Sequence, residues 1–338
     1  MKKAGALLLL IVLSFCANAQ ELFPIAEPAS NVPKGALGVR VFGEGYQEAG
    51  LFRDMTGLKL LYGVTPKLSV YITATASDYH GKTLPFDFIS HRHVGSQLTG
   101  GAQVPAQGVA YPRVFNSIDV YAKYRFVTLD EQNKHFRMAA YAEGSYVAVP
   151  SHEAEPDLLV HTSGFGAGII STYLSHHFAA SLTGGFILPS SYNGNATDVY
   201  GGIYPTTVHY GNALNYSLSF GYLLFPKKYT GYQQTNWNIY LEFTGKAYNA
   251  ATVTQKDGPA ADALPIPVSS HTPILHAGSY LDIDPGVQCI INSTYRIDAS
   301  VSFALLNKTY THLYPLYRFG MQRYLYFNRR GRGKSDKL

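Results

Sequence analysis

Charge and sulfur are both scarce in this chain. Only 14% of its 338 residues are Asp, Glu, Lys or Arg, against about a quarter in an ordinary soluble domain. Two cysteines occur, Cys16 and Cys289, and the first lies in an N-terminal stretch expected to be removed. One remaining thiol makes no intramolecular disulfide, which excludes the stapled architecture of small secreted domains. After the N-terminal stretch, no apolar run is long enough for a membrane helix of roughly 20 residues. The formal net charge of +5, less the two lysines of the leader, is too small to point to a nucleic-acid partner.

The leader itself, residues 1–19, reads as a secretory signal. Lys2 and Lys3 open it, Ala4 to Cys16 form a short apolar run, and Ala17-Asn18-Ala19 is a cleavage site of the A-x-A kind. A lipid anchor on Cys16 is the alternative, disfavoured by the bulky Phe15 before it. The exported chain must therefore be stabilised by something other than disulfides.

What the chain has in plenty is tyrosine, 27 residues, and glycine, 32 residues, together with alternation. In residues 67–80, KLSVYITATASDYH, apolar Leu68, Val70, Ile72, Ala74 and Ala76 alternate with Ser69, Tyr71, Thr73, Thr75 and Ser77. A period of two marks a strand with one apolar and one polar face. Twelve such segments are expected, near 36–46, 55–64, 67–79, 117–128, 135–149, 163–174, 177–188, 210–225, 235–247, 280–292, 294–306 and 315–327. Their connections are sorted: VTPK, LSHH and NSTYR are tight, whereas those near 80–116, 150–162, 189–209 and 248–279 are long. An even strand count with short turns at one end and long loops at the other predicts an all-β fold. It is a transmembrane antiparallel up-and-down barrel of about 12 strands, with both termini in the periplasm of a Gram-negative bacterium.

In such a barrel the apolar face meets lipid and the polar face meets the lumen. Aromatics near strand ends (Tyr62, Phe126, Phe136, Tyr173, Phe186 and Phe225) suit interfacial girdles. The opposite face collects Arg40, Glu44, Lys59, Asp119, Lys123, Arg125, Arg137, Glu143, Glu242, Lys246, Asp282, Asp284, Arg296, Asp298 and Arg318. An Arg or Lys facing lipid at mid-membrane costs about 2–4 kcal/mol, so these charges are expected to line a wet interior. All but Asp282 and Asp284 are the pore-lining candidates. Eight basic against seven acidic residues is near balance, which suggests paired networks rather than a ring of one sign. Two residues resist the pattern. Pro285 lacks a ladder donor, which predicts a bulge or a later strand start. Arg323 falls on the lipid side of the last strand, which calls for a bulge or an interfacial depth.

Three stretches carry a family resemblance: NVPKGALGVRVFGEGY, GLKLLYGVTPKLSVYITATAS and LYRFGMQRYLYF. With them the chain resembles the outer-membrane barrels of Bacteroidetes-type bacteria, and is similar to the transporter or "meta-pathway of phenol degradation" barrel family. The resemblance implies passage of small, sometimes aromatic, molecules across the outer membrane, and assigns no site. The chain departs from the common pattern of a C-terminal aromatic assembly signal. Here Phe327 is followed by NRRGRGKSDKL, so the signal read by the barrel-assembly machinery would be internal and the basic tail 328–338 periplasmic.

Catalytic and metal readings find little support. Nine of the twelve histidines (His80, His91, His93, His152, His161, His209, His271, His276 and His312) lie in or beside the long loops, without a recognised ligand spacing. His135, His176 and His177 sit at short turns. No Ser, His and carboxylate spacing picks out a triad, and the sequons at Asn195 and Asn292 are read as chance. No cofactor and no metal site is expected. The Pro-rich segment 20–35 is expected in the periplasm or folded into the lumen as a plug, and loop 80–116 is the other candidate for a constriction. The leading expectation is a narrow outer-membrane channel for a small solute, bounded by outer-membrane lipid. The alternatives are a closed structural or surface-interaction barrel and, third, an outer-membrane enzyme.

Overall fold

The computed structural model describes residues 23–48, 50–79, 111–149, 154–197, 203–228, 234–255 and 275–327. The leader, the tail, most of loop 80–116 and His80, His91, His93, His152 and His271 lie outside the described residues.

Period-two segments become strands wherever they were expected. They are β1 (Ala36–Glu48), β2 (Leu51–Gly63), β3 (Leu68–Ser77), β4 (Val114–Asp130), β5 (Lys134–Val147), β6 (Gly164–Ser175) and β7 (Phe178–Pro189). They continue after two short strands, β8 (Tyr192–Thr197) and β9 (Ile203–His209), with β10 (Ala213–Phe225) and β11 (Asn236–Tyr248). After the short β12 (Thr252–Gln255) come β13 (Gly278–Ile291), β14 (Tyr295–Leu306) and β15 (Leu316–Tyr326). Twelve of these close a barrel in the order β1-β15-β14-β13-β11-β10-β7-β6-β5-β4-β3-β2. The remaining three, all in long loops, form a separate sheet in the order β12-β9-β8; the sequence reading missed it.

Every barrel neighbour is antiparallel, and β1 closes on β15 from Ala36↔Tyr326 to Gly45↔Tyr317. Closure leaves no unpaired edge, so every wall strand finds its backbone partners within the sheet. The alternation of β3 is realised in space: Ser69, Thr73, Thr75 and Ser77 are buried inside, while Ile72 on the opposite face is 44% exposed. Around the wall the outward positions repeat this, with Leu58, Val120, Ile169, Leu182, Leu218, Ile239, Val287 and Phe319 all exposed. Soluble monomers rarely expose so continuous an apolar belt. Of the expected girdle residues, Tyr62, Phe126, Tyr173, Phe186 and Phe225 are exposed on the outside, and Phe136 is half-buried.

One local expectation needs correction, and the two alternatives for Arg323 narrow to one. Pro285 neither bulges nor delays the strand: β13 runs through it with Leu241↔Pro285 in unbroken register against β11. Towards β14 the ladder simply skips Asp284 and Pro285 and resumes at Gly286↔Ser300 in the same register, and the bulge lies upstream at Leu281/Asp282. The missing N–H is thus accommodated by a gap in one ladder rather than by an extra residue. Arg323 needs no bulge either. β15 keeps its register across it, and the guanidinium lies 5.2 Å from the ring centroid of Tyr295 at the short-turn end of the wall, a cation–π contact outside the barrel.

Candidate functional site: the barrel lumen

Inward-facing polar side chains meet two inserted segments in the lumen. At the short-turn end the chain before β1 crosses the barrel as a strap, residues 23–35. Three prolines, Pro24, Pro28 and Pro33, give it no ladder of its own, so its remaining backbone groups must find partners on the wall. They do. The Gly35 N–H donates to the Gly63 carbonyl at 2.8 Å, and Lys34 bridges Gly63. A Cβ on Gly63 would run into the Pro33 carbonyl, so this close approach requires glycine. Further in, the Val32 N–H donates to Ser69 Oγ at 3.0 Å and the Ala29 N–H to Thr172 Oγ1 at 2.8 Å. The Ile25 and Ala26 N–H groups donate to the Glu242 carboxylate at 3.0 and 2.8 Å. Arg296 donates to the Phe23 carbonyl at 2.6 Å, and the Phe23 ring meets Tyr240 edge-on at 5.7 Å.

Glu27 is the charged centre of the strap. Its carboxylate pairs with Lys59 and lies 3.4 Å from Lys123 Nζ, which also donates to the Pro28 carbonyl at 2.6 Å. Burial would raise the Glu27 carboxyl, but the two ammonium groups outweigh it and hold it at about 2.

The second insertion comes from the long-loop end, residues 154–162 between β5 and β6. Asn116 donates to the Val160 carbonyl at 2.9 Å and Ser117 to that of Leu159, while Leu158 and Val160 are buried. Asp157 accepts from Lys246 at 2.8 Å and from the Leu159 N–H at 3.0 Å. Burial opposes ionisation here too, yet Lys246, His161 and the backbone donor hold the Asp157 carboxyl well below the usual range. Glu155, fully buried, sits 3.6 Å from Lys246 and accepts from Thr309 Oγ1 at 2.5 Å. His161 is buried and stacks on Tyr79 with centroids 6.4 Å apart.

The predicted lumen charges fall mostly into these clusters. Arg40 grips Asp298 through two bonds of 2.8 and 2.7 Å, and Arg296 shares the same carboxylate at 2.9 Å. Arg318 bridges Glu44 at 3.0 Å and Asp284 at 3.2 Å. Arg137 pairs with Asp130 at 3.0 Å and reaches Ser30 of the strap at 3.1 Å. Arg125 stands apart at the short-turn mouth, donating to the Pro66 carbonyl at 3.0 Å. Asp119 and Glu143 face the lumen without an ion-pair partner among the described residues. The sequence reading missed Glu27, Glu155 and Asp157. Their only signal was position, in a Pro-rich lead-in and a long loop, since nothing periodic places such segments inside a barrel.

Between strap and loop lies a cavity of about 390 Å³, lined by both insertions and by β1–β5, β11 and β13–β15. Beside Tyr121 in its wall runs a row of stacked rings across β3–β5, Tyr71 to Tyr121 at 5.4 Å and Tyr121 to Tyr141 at 5.1 Å. Offset stacking of this kind fixes bulky side chains against the wall.

Solved structures that superpose on this barrel include an outer membrane channel, a porin and a transporter. An outer membrane channel from Pseudomonas putida F1 superposes with a TM-score of 0.50 at 12% identity, covering 89% of this chain and 100% of that one. The two share a fold. The NanC porin gives 0.40 at 8% identity, covering 85% and 98%, and the Pseudomonas putida toluene transporter TodX gives 0.33 at 12%, covering 91% and 93%. No protein-family model matches the chain, and no curated protein matches it either.

Proposed function

We propose that this protein is an outer-membrane channel for small solutes whose lumen is narrowed from both ends, by the strap 23–35 and by the loop 154–162. One observation carries the reading: a closed barrel, apolar outside and charged inside, retains a cavity of about 390 Å³, lined by charged and apolar side chains, between the two inserted segments. Side chains fill the interior of an eight-stranded barrel; this twelve-stranded one is wider, and a cavity with convergent polar groups is what a small-molecule site needs. The apolar belt belongs in outer-membrane lipid, because only a closed barrel satisfies its backbone there. The short turns and the strap then lie on the periplasmic side after cleavage of the leader, the long loops outside, and the assembly machinery reads an internal signal near Phe327. The resemblance to Bacteroidetes-type transporter barrels points the same way.

The strap is the plug in this reading. The test is solute efflux from vesicles of defined lipid, with the full mature chain and with a chain lacking residues 20–35. Efflux of solutes below a few hundred daltons, faster after the deletion, supports the channel. Sealed vesicles with both folded proteins would overturn it in favour of a surface-interaction barrel.

A further inference from the structure

The lumen is more acidic than its wall. The inserted segments add Glu27, Glu155 and Asp157 to wall charges that were near balance, and the cavity is lined by seven carboxylates but only three Lys or Arg side chains. Pairing sorts them. Arg40, Arg318 and Lys59 are each committed to a carboxylate, Asp157 is held by Lys246, and Asp282 accepts from Tyr314 at 2.5 Å. Asp119 and Glu143 are left. They stand on neighbouring strands at diagonal positions of one face, since Asp119 is opposite Ser145 and Tyr121 is opposite Glu143; such positions are about 7 Å apart.

One buried atom gives the site its direction. Asp119 is only 7% exposed and lines the cavity, and its Oδ2 has no hydrogen-bond partner among the described residues. A buried acceptor left without a donor costs free energy that a bound donor recovers. Glu143 lies against Gly166, where a side chain would meet its carboxylate, so the wall leaves room for the carboxylate. Phe42 and Met55 supply apolar surface to the same cavity.

Resting on the channel reading, we propose that this cavity is a binding site for small primary-ammonium solutes, with Asp119 and Glu143 as the charge partners. The oxygens of the two carboxylates offer acceptors to the three N–H donors of an ammonium group, and the apolar lining suits a short alkyl body. An anionic solute meets carboxyl groups rather than N–H donors at this pair, so acetate is the control that should not bind there.

The experiment titrates the full mature chain, folded in lipid nanodiscs, with ethylammonium chloride and with sodium acetate, followed by ligand-observed NMR. Alongside it run Asp119→Asn, Glu143→Gln and the double variant, each checked for barrel folding by heat-modifiable migration. Saturable ethylammonium binding, weakened at least tenfold in either single variant and lost in the double, with none for acetate, is the expected result. Glu143 is only partly buried, so its variant keeps the test alive should Asp119→Asn fail to fold. Equal binding by wild type and folded variants, or acetate bound as well as ethylammonium, would overturn the site. Vesicle efflux separates the two readings: solute passage without ammonium preference removes only this inference, whereas binding in sealed vesicles removes only the channel.

Discussion

Replacing Glu27 by Gln is the most informative single change to the strap. The carboxylate faces Lys59 and Lys123 at once, and the amide keeps its shape while removing the charge. Breaking a fully buried ion pair costs about 3–5 kcal/mol. Here Glu27 and Lys59 are each about one-fifth exposed, so solvent screening reduces the loss to about 2 kcal/mol. Lys123 is fully buried but keeps the Pro28 carbonyl at 2.6 Å, which limits the penalty further. At 1.4 kcal/mol per factor of ten, the released population of the strap rises about 30-fold. Amide hydrogen exchange reads this directly, because the N–H groups of Ile25, Ala26, Ala29 and Val32 are bonded to wall side chains and exchange when the strap leaves. Protection at these four amides should fall together by about 30-fold while mid-strand amides of β3 and β11 are unchanged. Protection kept within twofold would refute the view that the Glu27 pairs hold the strap.

Three more predictions follow from the same geometry. Because Lys59 and Lys123 hold the Glu27 carboxyl at about 2, against 4.5 when free, its contribution to docking is complete above pH 4.5 and lost as pH falls towards 2; protection of the strap amides, corrected for the intrinsic pH dependence of exchange, should fall across that window by more in the wild type than in Glu27→Gln. Gly63→Val should displace the strap at its entry, where the Pro33 carbonyl passes, raising protease cleavage within 23–35 at least tenfold in a barrel that still migrates as folded. Leu182→Arg places a charge on the exposed face of β7 at a cost of about 2–4 kcal/mol in a bilayer, measured by reversible unfolding in vesicles, whereas Arg323→Leu at the end of the wall should change stability by less than about 1 kcal/mol.

The wall could be read from the sequence because its rule is local: residues 68–77 alternate whatever their neighbours do, and the same holds for 118–126 and 295–303. Which charges meet is not local. Arg40 and Asp298 are 258 positions apart, and Ile25 reaches Glu242 across 217, so their pairing depends on the register of every strand between them. The near balance of wall charges was visible, but the acid surplus of the lumen was not, since it comes from Glu27, Glu155 and Asp157 on irregular segments. Pro285 misled for a related reason: a missing donor disturbs one ladder only, and which neighbour it faces is set by the barrel. Strands β8, β9 and β12 are short, so alternation within them carried too little signal.

The central claim, that the strap narrows a conducting lumen, is tested most directly by single-channel recording in a planar bilayer. The full mature chain should give small or infrequent steps, and the chain lacking residues 20–35 should give larger, sustained ones, with Glu27→Gln between them. Identical traces from all three folded proteins, whether silent or open, would contradict it.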